Sequence, residues 1–395
     1  MAFEYYPRLA DDELRARLKR SGAVVIHGAK WCGKTETAIQ QARSTIFLQD
    51  PDEYENNLLT AQTKPSLLLA GELPRLIDEW QDFPQVWDAV RFAVDRRHQR
   101  GCFILTGSVS REMGSDERPR HSGVGRISSM TMRTMSLYES RESSGEVSLG
   151  AHFDGAEDIS GTSPWEIEEL TQLICRGGWP EAVALGEDAA GSLAGDYIAA
   201  VAERDISLPD GVRRDPGLVR IVLAAYARCV ATQADGTTIR GNVHVAREDV
   251  SRNTVSSYIG SLRKLYVFED LPSWRPSLRD KTRVPATPKR HFVDPSLAAA
   301  AMGASPQKLL RDLPTLGRLF ESLVVRDLRV YGQAIGAMVH HYHDAAGREA
   351  DAVVVMPDGR WALVEAKLGG GGIEGGSRDL VKLAGKIDQT LMGPP

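Results

Sequence analysis

The sequence predicts an α/β protein built on a parallel sheet. Short apolar runs bounded by glycine or turn residues alternate with stretches of helical spacing over the first hundred residues. A glycine-rich loop stands between the first apolar run and the helix that follows it. The composition, 42% apolar and 26% charged, is that of an ordinary globular chain with enough residues for a sound core.

In order, DDELRARLKR at 11–20 reads as a short amphipathic helix and Ala23–His27 as a buried strand. Lys34–Ser44 reads as a helix, and Thr45–Leu48 as a second strand ending at Asp50-Pro51. Arg75–Asp78 is a third strand. Pro84–His98 is a helix with Val86, Val90 and Val94 on one face, and Cys102–Thr106 is a fourth strand. Residues 139–169 hold nine acidic residues and one basic one among Ser and Gly, the signature of a linker or surface loop. From Pro164 to about Thr232 the pattern is helical, broken at Arg176-Gly-Gly-Trp-Pro180. Residues 246–266 read as two short helices, with Ser251 as a cap and Val255, Ile259 and Leu262 on one face. Residues 271–291, with six Lys or Arg, one Asp and several Pro, read as a second linker. His291–Val293, Ala352–Met356 and Ala362–Glu365 read as strands and Leu316–Tyr331 as a helix; the glycine run Gly369–Gly376 leads to a last helix near Arg378–Leu391.

A length of 395 residues suggests two to three domains. The net charge of −5 excludes a uniformly basic protein, although 271–291 would suit phosphate contacts. Cys32, Cys102, Cys175 and Cys229 form no CxxC pair and read as reduced thiols. Neither a leader-like apolar region nor a membrane-length apolar run occurs, so a soluble cytoplasmic protein is expected.

The loop Gly28-Ala-Lys-Trp-Cys-Gly33-Lys34-Thr35 fits GxxxxGK[ST]. Glycines let backbone N–H groups curve around phosphates, Lys34 supplies a point charge and Thr35 a hydroxyl for Mg²⁺. The following helix turns its positive end to the same anion. Asp78-Glu79 end a strand downstream. Asp78 is the candidate for holding Mg²⁺ through water and Glu79 for activating the attacking water. In Thr106-Gly107-Ser108 at the end of the fourth strand, a hydroxyl such as that of Ser108 either senses the γ-phosphate or caps the next turn.

Residues 246–266 would form a helix-turn-helix with Asn253–Lys264 as recognition helix; Arg252, Asn253, Ser256, Ser257 and Arg263 would supply groups for DNA, the alternative being packing alone. Near the end, Asp351 opens the strand AVVVM, and WALVEAK follows a Pro-Asp-Gly turn. Asp351, Glu365 and Lys367 match the D…ExK pattern of PD-(D/E)xK nucleases. Glu365 and Lys367, two apart, share a strand face, and Glu321 could add a ligand to such a metal site. The alternative is a surface hairpin with solvated charges.

Together the P-loop, LIDEWQ at 76–81, LTGS at 105–108, GVGRI at 123–127, MSLYES at 135–140, CRGGWPEAV at 175–183, ERDI at 203–206, NTVSSYIGSLRKLYVFEDLPSW and HFVDPSL resemble bacterial AAA-type ATPases that carry an uncharacterised C-terminal domain. The resemblance implies an AAA-like domain at 1–150, a helical and winged-helix-like region at 151–270 and a restriction-endonuclease-like domain at 271–395. It favours ATP over GTP. It also implies an arginine that neutralises the γ-phosphate, Arg126 first and Arg204 second, and with it a homo-oligomer. Such C-terminal domains continue with further strands after the ExK helix, whereas this chain stops at Met392-Gly-Pro-Pro395, so an incomplete domain is expected. The function expected is ATP hydrolysis with Mg²⁺ coupled to a DNA-binding or nuclease-like part. The rival is a nucleotide-gated switch with an inactive nuclease-like fold.

Overall fold

The computed structural model describes residues 5–109, 122–156, 159–185, 187–275, 287–344 and 346–387. These form two compact units. The first runs to Thr134 and also takes in Ser207–Arg213 and Lys264–Tyr266; the second holds the rest.

In the first unit, β1 (Ala23–His27), β2 (Ser44–Phe47), β3 (Arg75–Asp78), β4 (Phe103–Gly107) and β5 (Ile127–Thr131) make one parallel sheet of order β2-β3-β4-β1-β5. The strand period of two divides each apolar run between two cores. Val25, Ile77, Phe103 and Leu105 join Val86, Val90 and Val94 of the helix Gln85–Arg97 on one face. Val24, Ile26, Leu76 and Ile104 join Leu14 and Leu18 of the helix Leu9–Arg20 on the other. Fully burying a side chain of this size stabilises the fold by ~1.5–3 kcal/mol, so the sheet is fixed from both sides. Register then sets the site: His27 lies level with Gly107 at the carboxyl ends of β1 and β4, and Asp78 ends β3 beside them.

Two local readings change here. The helix after the glycine loop spans only Lys34–Ile39, because the chain must already turn into β2, where the Arg43 N–H bonds the Pro74 carbonyl at 2.8 Å. Strand β5, sequence ISSMT, carries two serines and lacks an apolar run; its pairing to β1 creates it.

The second unit is helical first: Ile167–Arg176, Pro180–Leu185, Glu187–Glu203, Pro216–Ala227, Gly236–His244, Arg252–Lys264 (its last residue in the first unit), Pro295–Ala301, Pro306–Leu309 and Leu313–Ala334. An antiparallel sheet β6 (Met338–His343)–β7 (Glu349–Val355)–β8 (Trp361–Val364) follows, with the helix Ile373–Ala384. Trp361, Val353 and Ala350 pack with Trp274 and Leu383 into its core.

Three expectations are corrected. The acidic stretch 139–169 is more than a loop: it contains the helix Leu149–Phe153, and half-buried Glu142 accepts a 2.6 Å bond from Arg176. Residues 246–266 contain one helix, Arg252–Lys264, because 245–251 stay in turns; Ser251 does cap it, accepting from the Thr254 N–H at 3.1 Å. His291–Val293 is no strand but holds a single bridge, Phe268 to Phe292. Of the basic linker 271–291, residues 276–286 lie outside the described residues, while Trp274 is buried. Residues 388–395, including the end of the last predicted helix, also lie outside them.

A buried polar network explains the Gly-Gly-Trp-Pro break. Arg326 donates to Asp294 at 3.0 Å and to Asp327 at 2.8 Å. Asp294 accepts from the Gly178 N–H at 3.0 Å, Asp327 from the Leu137 N–H at 3.1 Å, and Trp179 Nε1 donates to Ser296 at 3.0 Å. A Cβ on Gly178 would meet the Met135 carbonyl oxygen at 2.0 Å, so only glycine lets the two backbones meet.

Candidate nucleotide site and the C-terminal carboxylates

The loop between β1 and the helix Lys34–Ile39 curls back on the sheet. Gly28 has φ +151°, and a Cβ there would sit 2.2 Å from the Met132 carbonyl oxygen. Lys34 is buried, its ammonium donating to the carbonyls of Gly28 (3.1 Å) and Ala29 (2.7 Å). Beside it the strand ends converge. Asp78 Oδ1 accepts from Thr35 Oγ1 at 2.7 Å and from Thr106 Oγ1 at 2.5 Å. Thr106 in turn accepts from the Glu79 N–H at 3.3 Å. Glu79 takes the left-handed conformation, φ 55°, and its Oε2 accepts from Ser108 at 3.1 Å and from Gln81. Burial, with Lys34 nearby, lowers the pKa of His27, keeping this ring before the loop neutral.

The sequence missed the strap behind the loop. Buried Arg8 donates to the carbonyls of Cys32 and Arg133, both at 2.9 Å. Tyr5 donates to Asp11 at 2.7 Å and lies 3.0 Å from Thr37 of the loop's helix. Nothing in a lone arginine eight residues in signals this role; it comes from the course of the chain.

The structure brings together Gly28, Gly33, Lys34, Thr35, Asp78, Glu79 and Ser108, with Thr106 added. Arg126 does not join them. It precedes β5, its carbonyl accepts from Ala23 at the amino end of β1, and its guanidinium pairs with Asp95 at 2.7 Å. A five-residue strand at ~3.3 Å per residue separates that end from the loop. Arg204 directly follows the helix Glu187–Glu203 in the second unit.

The C-terminal carboxylates are arranged differently from the expected metal site. Glu321, on the helix Leu313–Ala334, and Asp351, on β7, both accept from one buried ammonium, that of Lys289, at 2.7 and 2.9 Å. The second oxygen of Asp351 accepts from the Ala366 N–H at 3.0 Å. Lys367 pairs with Glu365 instead. Burial, with Asp351 adding to it, pushes Glu321 up to about 7 against the opposing pull of Lys289. Burial also lowers His341 to about 4 and His291 far below its usual range. Among the described residues no group of three or more His, Cys, Asp or Glu could hold a metal ion. The Lys289 ammonium thus stands between Glu321 and Asp351, while Glu365 and Lys367 pair with each other.

Along the helix Arg252–Lys264, Val255, Ile259 and Leu262 are buried and Arg252, Asn253 and Ser256 exposed. Ser257 accepts from Arg214 at 3.1 Å, and Arg263 pairs with Asp270 at 2.7 Å. No helix among the described residues is long and apolar enough to cross a membrane.

Residues 20–140, which hold this sheet and loop, match the AAA domain family. Residues 167–308 and 316–390 match two domains of unknown function, DUF8612 and DUF4143. Uncharacterized proteins of Mycobacterium bovis and Mycobacterium tuberculosis are each 24% identical over 330 residues, 81% of this chain. The chain spans 65% of the length of these curated relatives. Among solved structures, the Walker-type ATPase of Pyrococcus abyssi aligns over 76% of this chain and 99% of its own at 14% identity, TM-score 0.44. A signal transduction ATPase with numerous domains and a tetratricopeptide repeat sensor, from Pyrococcus horikoshii, aligns over 85% and 55% at 14% identity, TM-score 0.27.

Proposed function

We propose that the first unit binds ATP and hydrolyses it with Mg²⁺. The observation that supports this reading is the meeting of Thr35, Asp78 and Thr106 at the carboxyl ends of adjacent strands, beside a buried lysine on a glycine loop. The AAA family match favours ATP over another nucleotide. Backbone N–H groups of the loop cradle the phosphates, and Lys34 exchanges its carbonyl partners for phosphate oxygens. Thr35 and Asp78 are the hard oxygen donors that would hold Mg²⁺, which when bound neutralises phosphate charge. Glu79 accepts the proton of the attacking water, and Ser108 orients that carboxylate. Arg126 lies at the far end of its own sheet, so for it to reach a γ-phosphate that phosphate would belong to a second copy in a homo-oligomer. The test is phosphate release together with calorimetry of nucleotide binding. Lys34→Ala should abolish both. Unchanged affinity would remove the site assignment.

For the second unit, the rival reading of a nucleotide-gated switch is favoured over a nuclease by one observation, the ammonium seated between Glu321 and Asp351. Slow turnover, with an oligomeric state that changes on adding ATP, would support it. DNA cleavage in the presence of Mg²⁺ would overturn it.

A further inference from the structure

We propose that Lys289 is the resident cation of the C-terminal acid pair, so that this part of the chain binds no divalent metal and serves to recognise or couple rather than to cut. Three observations converge. First, the Lys289 ammonium lies 2.7 Å from Glu321 and 2.9 Å from Asp351, and its side chain is only 4% exposed. The ammonium occupies the side on which the two carboxylates converge, so a divalent ion could enter between them only by displacing it; Glu365 Oε2 is buried without a hydrogen-bond partner but does not belong to this pair. Second, the remaining oxygen of Asp351 accepts from the Ala366 backbone, so the aspartate is turned to the protein on both sides. Third, the lysine of the ExK pattern bonds Glu365 and is 41% exposed; it acts on Asp351 and Glu321 only through its field, whereas Lys289 contacts both.

Lys289 is also held where it stands. Its backbone N–H and carbonyl exchange bonds of 3.0 and 2.9 Å with Leu271, forming an isolated bridge. Its side chain thus ties that bridge to the helix Leu313–Ala334 and to β7. The adjoining rings of His291 and His341 are buried as well, the first bonded to Ser322 at 3.0 Å and the second 3.2 Å from the Thr287 carbonyl. A hydrolytic site needs its metal open to substrate on at least one side; here the place is filled by a protein group anchored at both ends.

The proposal is independent of the nucleotide reading and is tested with nucleotide-free full-length protein titrated with Mn²⁺ alone. Binding is followed by electron paramagnetic resonance of the free ion, and the Asp78→Asn variant identifies any binding at the glycine loop. Wild type should show no Mn²⁺ site that Asp351→Asn removes. Lys289→Met, which keeps the stem and deletes the charge, should gain one such site, with affinity at least tenfold above wild type, and Mn²⁺ should raise its thermal midpoint. The gained site should vanish in Lys289→Met combined with Asp351→Asn. A wild-type Mn²⁺ site lost in Asp351→Asn would overturn the proposal, as would a folded Lys289→Met that binds none. If Lys289→Met does not fold, the wild-type titration decides alone: no Asp351-dependent site upholds the assignment, and such a site refutes it.

Discussion

Thr106→Val isolates the junction on which the nucleotide site turns. Thr106 is fully buried at the end of β4; its hydroxyl donates to Asp78 at 2.5 Å and accepts from the Glu79 N–H at 3.3 Å. Valine keeps the shape, so no cavity opens and the change is confined to those two bonds. A hydrogen bond to a charged group contributes ~1.5–3 kcal/mol, so stability should fall by about that amount. Asp78 keeps its bond from Thr35 but loses the donor that fixes its second direction. A catalytic group displaced by about 1 Å costs ~100-fold in rate, so kcat for ATP should fall by about 10–100-fold. Lys34 and the glycine loop are untouched, so nucleotide affinity should hold within about threefold. Phosphate-release kinetics beside calorimetry read both quantities, and Thr106→Ser should restore most of the rate. A Thr106→Val enzyme with kcat within twofold of wild type would refute the claim that this hydroxyl positions Asp78. So would a variant that loses affinity while keeping its rate.

Other perturbations probe the strap, the network and the buried acid. Arg8→Ala removes the donor that ties Cys32 to Arg133 and should raise KM for ATP about tenfold; Arg8→Lys should recover only part of this, because an ammonium lacks the planar fork that spans two carbonyls. Arg326→Met leaves Asp294 and Asp327 buried without their cation and should cost ~3–5 kcal/mol in denaturant unfolding, with a midpoint shift that 1 M salt does not erase. Glu321 has its folded pKa raised from 4.5 to about 7, so its contribution is fully present below about pH 4.5 and lost as pH rises through 7. Glu321→Gln lacks that titration. Between pH 4.5 and 8 its stability should therefore improve relative to wild type, by up to ~3 kcal/mol in urea melts. A difference between the two proteins that stays constant with pH would refute the buried-acid assignment.

What the sequence made legible was whatever local pattern determines. The apolar runs at Ala23–His27 and Arg75–Asp78 became strands at those bounds, because two-sided burial leaves no other use for them. The glycine loop, Asp78 and Glu79 were expected together from residue type and spacing, and the structure places them side by side at the strand ends. Strand β5 was hidden, since its stability comes from pairing with β1 and its serines carry no apolar signal. Thr106 was visible only as one of two hydroxyls at a strand end; register alone distinguishes the one that reaches Asp78 from the one that reaches Glu79. Lys289 was read as part of a basic linker, because nothing in its neighbours reveals partners 32 and 62 residues away.

MSLYES, CRGGWPEAV and HFVDPSL, three of the stretches that carry the family resemblance, are specific in residue type. In the structure they meet one another: Gly178 packs on Met135, Trp179 on Ser296, and Asp294 bonds Gly178 and Arg326. A buried charge with every partner in place demands specific residue types as strictly as a catalytic centre does, since removing one partner strands the others away from water. The Lys289 cluster follows the same logic. Its acids match a metal-site pattern by type and spacing, and the buried ammonium between Glu321 and Asp351 is the charge that the Mn²⁺ titration tests.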